Sequence, residues 1–353
     1  MIKLFRPYVP QEAITEVAKM LGSEQIGQGP RVDQFEKEFS ALFNVKYPVS
    51  VNSGSSALEM AYDLVGLKKG DEVISTPLTC SATNIFLARR GVKIIWADIL
   101  ESTLCIDPID VRNKITKKTK AVVQVHLGGL RADVGKLHVP VISDAAQALG
   151  TFTGDYSCCS FQAIKHITTG DGGMVVCPDE ETYKRAKVMR WFGIDRERKL
   201  PEDWSNYRIR MMSFDLEMLG TKRHMNDIAA TMGIYGVRSY VQILLHRMEL
   251  FGIYRDELSG VDGIKLLDCK GNTYWLATVL AERRDALAKK LYEAGVECNI
   301  VQVRNDRYAI FGKKKANLPI MDSVENRYLS IPLGMHVTVD NARFICDTIR
   351  KGW

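Results

Sequence analysis

Hydrophobic side chains recur every three or four positions in two stretches near the start of the chain, residues 30–43 and 54–65. In the first stretch, Phe35 and Phe39 are one helical turn apart. This spacing is typical of amphipathic helices, so both stretches are predicted to be helical. The second stretch follows Ser53, a residue type that often caps a helix N-terminus.

Short apolar runs alternate with these helices and predict buried strands. The first two-thirds of the chain is therefore predicted to be an α/β layer with a mostly parallel central sheet flanked by helices. In such a sheet, ligands bind at the carboxyl ends of the strands. The strand-like runs are residues 48–51, 73–74, 94–96, 121–123 and 139–142.

The pattern changes in the last third, where a long helical stretch runs from residue 225 towards residue 258. The elements after it predict a smaller C-terminal α+β domain. We place the large domain at residues 1–245 and the small domain at residues 246–353. The predicted later elements are a strand at 274–280, a helix at 284–294, a strand at 328–333 and a helix opened by residues 338–340.

Composition and charge narrow the functional class. A chain of 353 residues with 46% hydrophobic and 25% charged residues is globular and long enough for two lobes. The net charge of +6 is dispersed, with short basic runs only at residues 117–118 and 313–315. This favours a solvated basic surface over nucleic-acid binding, and it also suits a phosphorylated, acidic substrate.

The N-terminal residues lack the apolar core of a signal peptide, and no stretch approaches the length of a membrane span. The eight cysteines form no CxxC pair, so they are expected to be reduced thiols rather than disulfides or metal ligands. We therefore predict a cytoplasmic protein with no membrane, nucleic-acid or metal partner.

Two motifs about twenty residues apart offer the groups that pyridoxal phosphate (PLP) requires. Lys165 supplies an amine within residues 160–173, and Asp144 and Gln147 follow the strand-like run at 139–142. PLP needs an amine for covalent attachment, a carboxylate for its ring nitrogen and donors for its phosphate. Alone, Lys165 could be a surface residue and Asp144 a helix cap, so the combination carries the prediction.

A glycine-rich turn at residues 52–58 offers a further phosphate contact. The backbone N–H groups of Gly54, Ser55 and Ser56 are predicted to lie at a helix N-terminus, which favours anions. Alone, this turn is more typical of an ordinary helix cap. The sequence contains no dinucleotide-binding or P-loop motif, so those readings have no support.

Five motifs together resemble the DegT/DnrJ/EryC1/StrS family of PLP-dependent nucleotide-sugar aminotransferases, over nearly the whole chain. The resemblance implies PLP fold type I, a homodimer with shared active sites, and amino transfer to a nucleotide-linked keto sugar. The motifs are Gly27-Gln28-Gly29-Pro30, residues 52–58, Gly70-Asp71-Glu72-Val73-Ile74, Asp144-Ala145-Ala146-Gln147-Ala148 and residues 160–173.

The resemblance also implies roles for individual residues. Lys165 would bind the cofactor covalently and later move a proton as a general base, with its pKa lowered by desolvation and by a nearby cation. Asp144 would keep the ring nitrogen protonated, and Gln147 would contact the ring hydroxyl region. Ser160, with the amides of residues 55–56, would hold the phosphate, although Ser160 could instead cap a turn and Gln147 could face solvent.

The chain departs from the family pattern at several positions. Gln162 replaces a frequent histidine and Asp171 a frequent glutamate, and neither alters the reaction class. Cys80 stands where the family commonly places an aromatic residue that stacks on the cofactor ring, so cofactor binding is expected to be weaker. Lys222 stands where the family usually has asparagine, and would reach the phosphate of the neighbouring subunit's cofactor. The alternative for Lys222 is an exposed surface lysine.

The predicted reaction is amino transfer, with L-glutamate as donor, to C4 of a nucleotide-linked 4-keto-6-deoxy sugar. UDP-4-amino-4,6-dideoxyglucose for glycan biosynthesis is the leading product, with GDP and dTDP analogues close behind. Residues 190–196 and 303–308 resemble the subgroup that acts on such sugars. Two alternatives are a PLP-dependent nucleotide-sugar dehydratase, whose family members carry histidine in place of Lys165, and a non-catalytic regulatory member.

Overall fold

The central sheet organises the larger part of the protein. The computed structural model describes residues 1–23, 25–196, 215–216 and 218–353. The strands of this sheet are short and mostly buried, as expected for a sheet covered on both faces, except for the edge strand at residues 93–96, which is partly exposed. They are β1 (Pro48–Val51), β2 (Glu72–Ser75), β3 (Lys93–Trp96), β4 (Thr119–Val125), β5 (Val141–Asp144), β6 (Tyr156–Ser160) and β7 (Gly173–Val176).

Within the described residues, the sheet has seven strands in the order β1-β7-β6-β5-β4-β2-β3. Strand β7 is antiparallel to β1 and β6, and the other neighbouring pairs are parallel. The predicted mostly parallel sheet is therefore confirmed. Strands β6 and β7 had not been predicted, because their cysteines, serines and glycine do not form a long apolar run.

Helices cover both faces of the central sheet. The predicted helices at 30–43 and 54–65 are confirmed with the same bounds. Phe35 and Phe39 of the first pack edge-on against Phe161, which ties that helix to the segment after β6. The helices are α1 (Gln11–Leu21), α2 (Pro30–Phe43), α3 (Gly54–Val65), α4 (Ser81–Arg89), α5 (Pro108–Lys114) and α6 (Glu180–Met189).

A second, antiparallel sheet forms the C-terminal α+β part, with strand order β10-β9-β8. Its predicted strand at 274–280 begins later, at Ala277, because Tyr274 has a φ of 55° and cannot continue an extended strand. The predicted start of the last helix at residues 338–340 is confirmed, and Thr338 caps it in a capping box with Asn341. The elements are β8 (Ile264–Leu266), β9 (Ala277–Ala281), α8 (Arg284–Glu293), α9 (Pro319–Val324), β10 (Tyr328–Ile331) and α10 (Val339–Arg350).

A 31-residue helix, α7 (Asp227–Glu257), connects the two parts. The predicted domain boundary at residue 245 falls inside this helix and stays a prediction. Among the described residues, α7 is long and apolar enough to pass a test for a membrane span. Its buried side chains pack against α1, α2 and α10, however, as in the core helix of a soluble protein.

Candidate active site

A cavity of about 350 Å³ lies at the carboxyl ends of the central strands, between them and the segment that precedes β9. This is the edge where ligands of such sheets bind. Most of the predicted site residues meet there. Those that line the cavity are Gly54, Ser55, Cys80, Asp144, Gln147, Ser160 and Lys165, whereas Ser56 and Lys222 lie outside it.

Asp144 is the last residue of β5 and is only 4% exposed. Its Oδ2 accepts a hydrogen bond from Thr83 Oγ1 at 2.7 Å, and its Oδ1 accepts one from the amide of Ala146 at 3.0 Å. Burial raises the pKa of the Asp144 carboxyl, while the two hydrogen bonds and Lys165 act in the opposite direction. A buried carboxylate of this kind is stabilised by a cationic partner.

Lys165 extends into the same cavity from the loop after β6. Burial lowers the pKa of its amine to about 8, and the negative charge of Asp144 opposes that shift. The expected lowering by desolvation is confirmed, whereas the charges near this amine raise its pKa, contrary to the expected effect of a nearby cation. A substantial fraction of this amine is therefore neutral near physiological pH, as a nucleophile or general base requires.

The N-terminus of α3 forms one wall of the cavity. Gly54 is required there, since a Cβ at this position would lie 2.7 Å from the Cβ of Ser160. The amides of Gly54 and Ser55 are at the first helical positions, which have no intrahelical acceptor, so they can bind an anion. The amide of Ser56 instead donates to Ser53 Oγ at 3.0 Å, which explains why Ser56 is not part of the cavity surface.

Gln147 is 4% exposed, so the alternative in which it faces solvent is wrong. Its Oε1 accepts a hydrogen bond from the amide of Gly128 at 2.9 Å, which leaves the side-chain NH₂ as a donor for a ligand. Ser160 Oγ accepts from the amide of Gln162 at 3.3 Å, and its hydroxyl proton remains able to donate. Both side chains can therefore donate hydrogen bonds into the cavity.

Cys80 and Lys222, which depart from the family pattern, have different environments. Cys80 is the N-cap residue of α4, and its exposed side chain lies at the cavity wall. Lys222 is exposed, and its backbone forms an isolated bridge with Trp191. The contact of Lys222 with a neighbouring subunit stays a prediction.

Sequence reasoning missed two residues of the site. Thr83 holds Asp144, and its position three residues after Cys80 was the only available signal. Trp275 lines the cavity, with Lys165 Nζ 4.1 Å from the centroid of its ring. No signal pointed to Trp275, because it was placed inside a predicted strand. His166, next to Lys165 in the chain, hydrogen-bonds the backbone carbonyl of Thr273 through Nε2 at 2.7 Å.

A sequence profile described as the DegT/DnrJ/EryC1/StrS aminotransferase family matches residues 7–350 of the chain. The chain belongs to this family. Lys165, Asp144 and the amides of α3 lie within the matched range. The match to the family therefore includes both sheets and the residues that line the cavity.

Similar proteins agree with this assignment. The chain is 31% identical over 375 aligned residues to spore coat polysaccharide biosynthesis protein SpsC of Bacillus subtilis (strain 168). The alignment covers 98% of this chain and 95% of the relative. It is 28% identical to dTDP-4-dehydro-2,3,6-trideoxy-D-glucose 4-aminotransferase of Saccharopolyspora spinosa, over 99% and 96% of the two chains. The crystal structure of the sugar aminotransferase CalS13 from Micromonospora echinospora has a TM-score of 0.92, 29% identity and complete coverage of both chains.

The protein is thus a PLP-dependent sugar aminotransferase. The donor set of the cavity fits PLP: a partly neutral amine at Lys165, a buried carboxylate at Asp144, and hydroxyl and amide donors at Ser160, Gly54 and Ser55. The carboxylate suits a protonated ring nitrogen, and the amides at the N-terminus of α3 suit a phosphate.

Proposed function

We propose that the enzyme transfers an amino group from L-glutamate to C4 of a nucleotide-linked 4-keto-6-deoxy sugar, as in the formation of UDP-4-amino-4,6-dideoxyglucose for glycan biosynthesis. The observation that carries amino transfer is the meeting of the Lys165 amine and the buried Asp144 carboxylate in one cavity. The Saccharopolyspora relative, whose name specifies a 4-dehydro sugar and a 4-aminotransferase, supports C4 as the aminated carbon.

PLP, when bound, supplies an aldehyde and an electron-withdrawing ring. The residues of this chain perform three tasks around it. Asp144 stabilises positive charge at the ring nitrogen because its own charge is buried and fixed by two hydrogen bonds. Lys165 in its neutral form accepts a proton from the reacting carbon and returns it. Ser160 and the amides of Gly54 and Ser55 hold the phosphate in place.

The enzyme is further proposed to act in the cytoplasm as a homodimer with shared active sites. Lys222 lies outside the cavity of its own chain, and the nearby Leu219 side chain is 94% exposed. An exposed leucine beside a cation is consistent with a surface that a second subunit covers. In that arrangement, Lys222 donates to the phosphate of the partner's cofactor.

The proposed reaction is tested in two stages. L-Glutamate added to the PLP-loaded protein is expected to remove the visible absorption band and to produce the pyridoxamine phosphate band. UDP-, GDP- and dTDP-linked 4-keto-6-deoxy sugars are then expected to restore the visible band, and mass spectrometry identifies the aminosugar. A protein that binds PLP, shows no change with any amino donor and still consumes a keto sugar is a dehydratase instead.

A further inference from the structure

The indole ring of Trp275 contacts the amine of Lys165. The ring centroid lies 4.1 Å from Lys165 Nζ, and Trp275 is 1% exposed. The face of an aromatic ring carries partial negative charge, so it attracts an ammonium group, more strongly where water is excluded. The ring is therefore an electrostatic partner for this amine.

Two other groups also favour the ammonium form of Lys165. Asp144 and Cys80 act on Lys165 through their charges, and within the described residues no ion pair is formed by the amine. The Asp144 oxygens are already engaged by Thr83 and by a backbone amide. The indole face, 4.1 Å from the amine, is thus placed to act on it directly.

The segment that carries Trp275 also holds both sequence neighbours of Lys165, one by its backbone and the other by its side chain. The indole Nε1–H donates a hydrogen bond to the carbonyl of Ile164 at 3.0 Å. On the other side, His166 Nε2 hydrogen-bonds the carbonyl of Thr273 at 2.7 Å. The lysine lies between two residues that are tied to the same short segment.

Trp275 is itself held from several directions. Its ring stacks on Phe5 with centroids 5.4 Å apart, and its carbonyl accepts a hydrogen bond from Arg247 Nη1 at 2.9 Å. Gly129 packs against its backbone, where a Cβ would lie 2.7 Å from the Trp275 amide nitrogen. A ring fixed in this way imposes its position on the lysine rather than following it.

We infer that Trp275 is a positioning residue for the reactive amine of Lys165, whose ammonium form it holds with its ring face while its N–H fixes the adjoining turn. This inference rests on the role of Lys165 in the proposed function. Trp275 itself transfers no proton. Its contribution is to place the amine and to offset part of the effect of burial on its protonation.

Fluorinated tryptophan separates the electrostatic role from packing. Fluorine withdraws electrons from the ring face and weakens cation binding while nearly preserving ring shape. Replacing all five tryptophans by mono-, di- and trifluorinated analogues should lower the pH midpoint of the Lys165 amine progressively, by up to about one pKa unit. The matched control is the same series in Trp275→Phe, where fluorination cannot alter residue 275 and no progressive shift is expected.

The pH midpoint of the Lys165 amine is measured by pulse acetylation with acetic anhydride between pH 6 and 11. Mass spectrometry compares the acetylation of the peptide that contains Lys165 with that of a peptide that contains an exposed lysine. The full-length protein is loaded with pyridoxamine phosphate, which has no aldehyde and leaves the amine uncombined, and the series is repeated without cofactor. Circular dichroism and the thermal midpoint show whether each protein is folded. The affinity for PLP shows whether the turn next to Lys165 keeps its conformation.

A midpoint that falls with each added fluorine in the wild-type chain but not in Trp275→Phe supports the inference. A midpoint that does not move, or that moves equally in both chains, overturns it, whatever happens to thermal stability. The proposed function fails by a different result, namely that PLP-loaded wild-type protein transfers no amino group from L-glutamate or any other amino donor. The two failures are therefore distinguishable.

Discussion

The hydroxyl of Thr83 donates a 2.7 Å hydrogen bond to Oδ2 of Asp144 and joins the buried carboxylate to the helix that begins beside Cys80. Thr83 Oγ1 also lies 2.8 Å from Thr79 Oγ1, so its proton can be directed towards the carboxylate while it accepts from Thr79. The carbonyl of Thr79 in turn accepts from Asn305 Nδ2 at 2.7 Å. A residue of the C-terminal part thus supports the position of Asp144.

Replacing Thr83 by valine should weaken PLP binding by about tenfold or more. The hydrogen bond from Thr83 lowers the pKa of Asp144 against the effect of burial, so its loss raises that pKa further and depletes the carboxylate. Hydrogen bonds to charged groups are worth about 1.5–3 kcal/mol. Fluorescence titration of the cofactor-free protein with PLP measures the change, and Thr83→Ser, which keeps the hydroxyl, should bind almost as the wild type does. Equal affinities for the two variants would contradict this role.

Asp144→Asn should stabilise the cofactor-free protein at neutral pH and weaken its hold on PLP. Burial raises the pKa of Asp144 in the folded state, so its ionisation destabilises the fold as pH rises from the unfolded-state pKa through the folded-state pKa. Asparagine cannot ionise, so the substitution should raise the unfolding free energy by about 1 kcal/mol. It can keep both hydrogen bonds, because the Thr83 hydroxyl can accept from the asparagine NH₂ instead of donating.

Urea denaturation of cofactor-free protein between pH 3 and 8 measures the effect of Asp144→Asn. The gain in unfolding free energy should disappear at the acidic end, where the carboxyl is protonated in both states. A gain that is the same at every pH would show that the variant acts by another route.

How far sequence could predict the site depended on whether a residue carried its own chemical signature. Lys165 and Asp144 are recognisable because an amine and a carboxylate at strand ends suggest PLP chemistry. Thr83 and Trp275 act through other residues, and neither a threonine on a helix nor a tryptophan in an apolar run is unusual in sequence. Their contacts with Asp144 and Lys165 join residues 61 and about 110 positions apart, respectively, which no local pattern encodes.

The covalent attachment of PLP should become faster as pH rises through about 8, well below the 10.5 of an ordinary lysine. Only the neutral amine attacks the aldehyde, and burial lowers the pKa of Lys165, so the neutral form is reached at lower pH. Stopped-flow absorbance of cofactor-free protein mixed with PLP between pH 6 and 10 measures the rate. Lys165→Ala is the control and should give no visible band, although it still binds PLP non-covalently.

Cys80→Phe should keep or tighten PLP binding. Cys80 lies at the cavity wall, and a phenyl ring there can stack on the cofactor ring for about 0.5–1.5 kcal/mol more than a thiol provides. The dissociation constant should fall up to about tenfold relative to wild type. Cys80→Ala is the control for loss of the thiol alone, and a weaker Cys80→Phe complex with unchanged circular dichroism would refute the expected stacking.

The fold could be predicted further than the site, because periodicity reports burial directly. Helices α2 and α3 were located to the residue, since their apolar faces repeat at helical spacing and their ends carry capping signals. Strands β6 and β7 were missed because residues such as Cys158 and Gly173 do not mark a strand. The late start of β9 follows from the left-handed conformation of Tyr274, which composition does not reveal.

If the active sites are shared, a mixed dimer of one Lys165→Ala subunit and one Lys222→Ala subunit should be active. Lys165 lies in the cavity of its own chain, whereas Lys222 lies outside it and is proposed to serve the partner's cofactor. A dimer of one Lys165→Ala subunit and one Lys222→Ala subunit then contains one site with both substitutions and one with neither. Co-expression with two affinity tags and tandem purification isolates this mixed dimer.

The mixed dimer should show about half the wild-type rate of amino transfer, while the Lys165→Ala homodimer is inactive. The Lys222→Ala homodimer should bind PLP about tenfold more weakly, because a charge-assisted contact with phosphate is lost. If Lys222 acted on the cavity of its own chain instead, each site of the mixed dimer would lack one lysine, and neither would recover full function. If Lys222→Ala left the affinity for PLP unchanged, Lys222 would be an exposed surface residue with no contact to the cofactor. If light scattering showed a monomer, the active sites could not be shared between subunits.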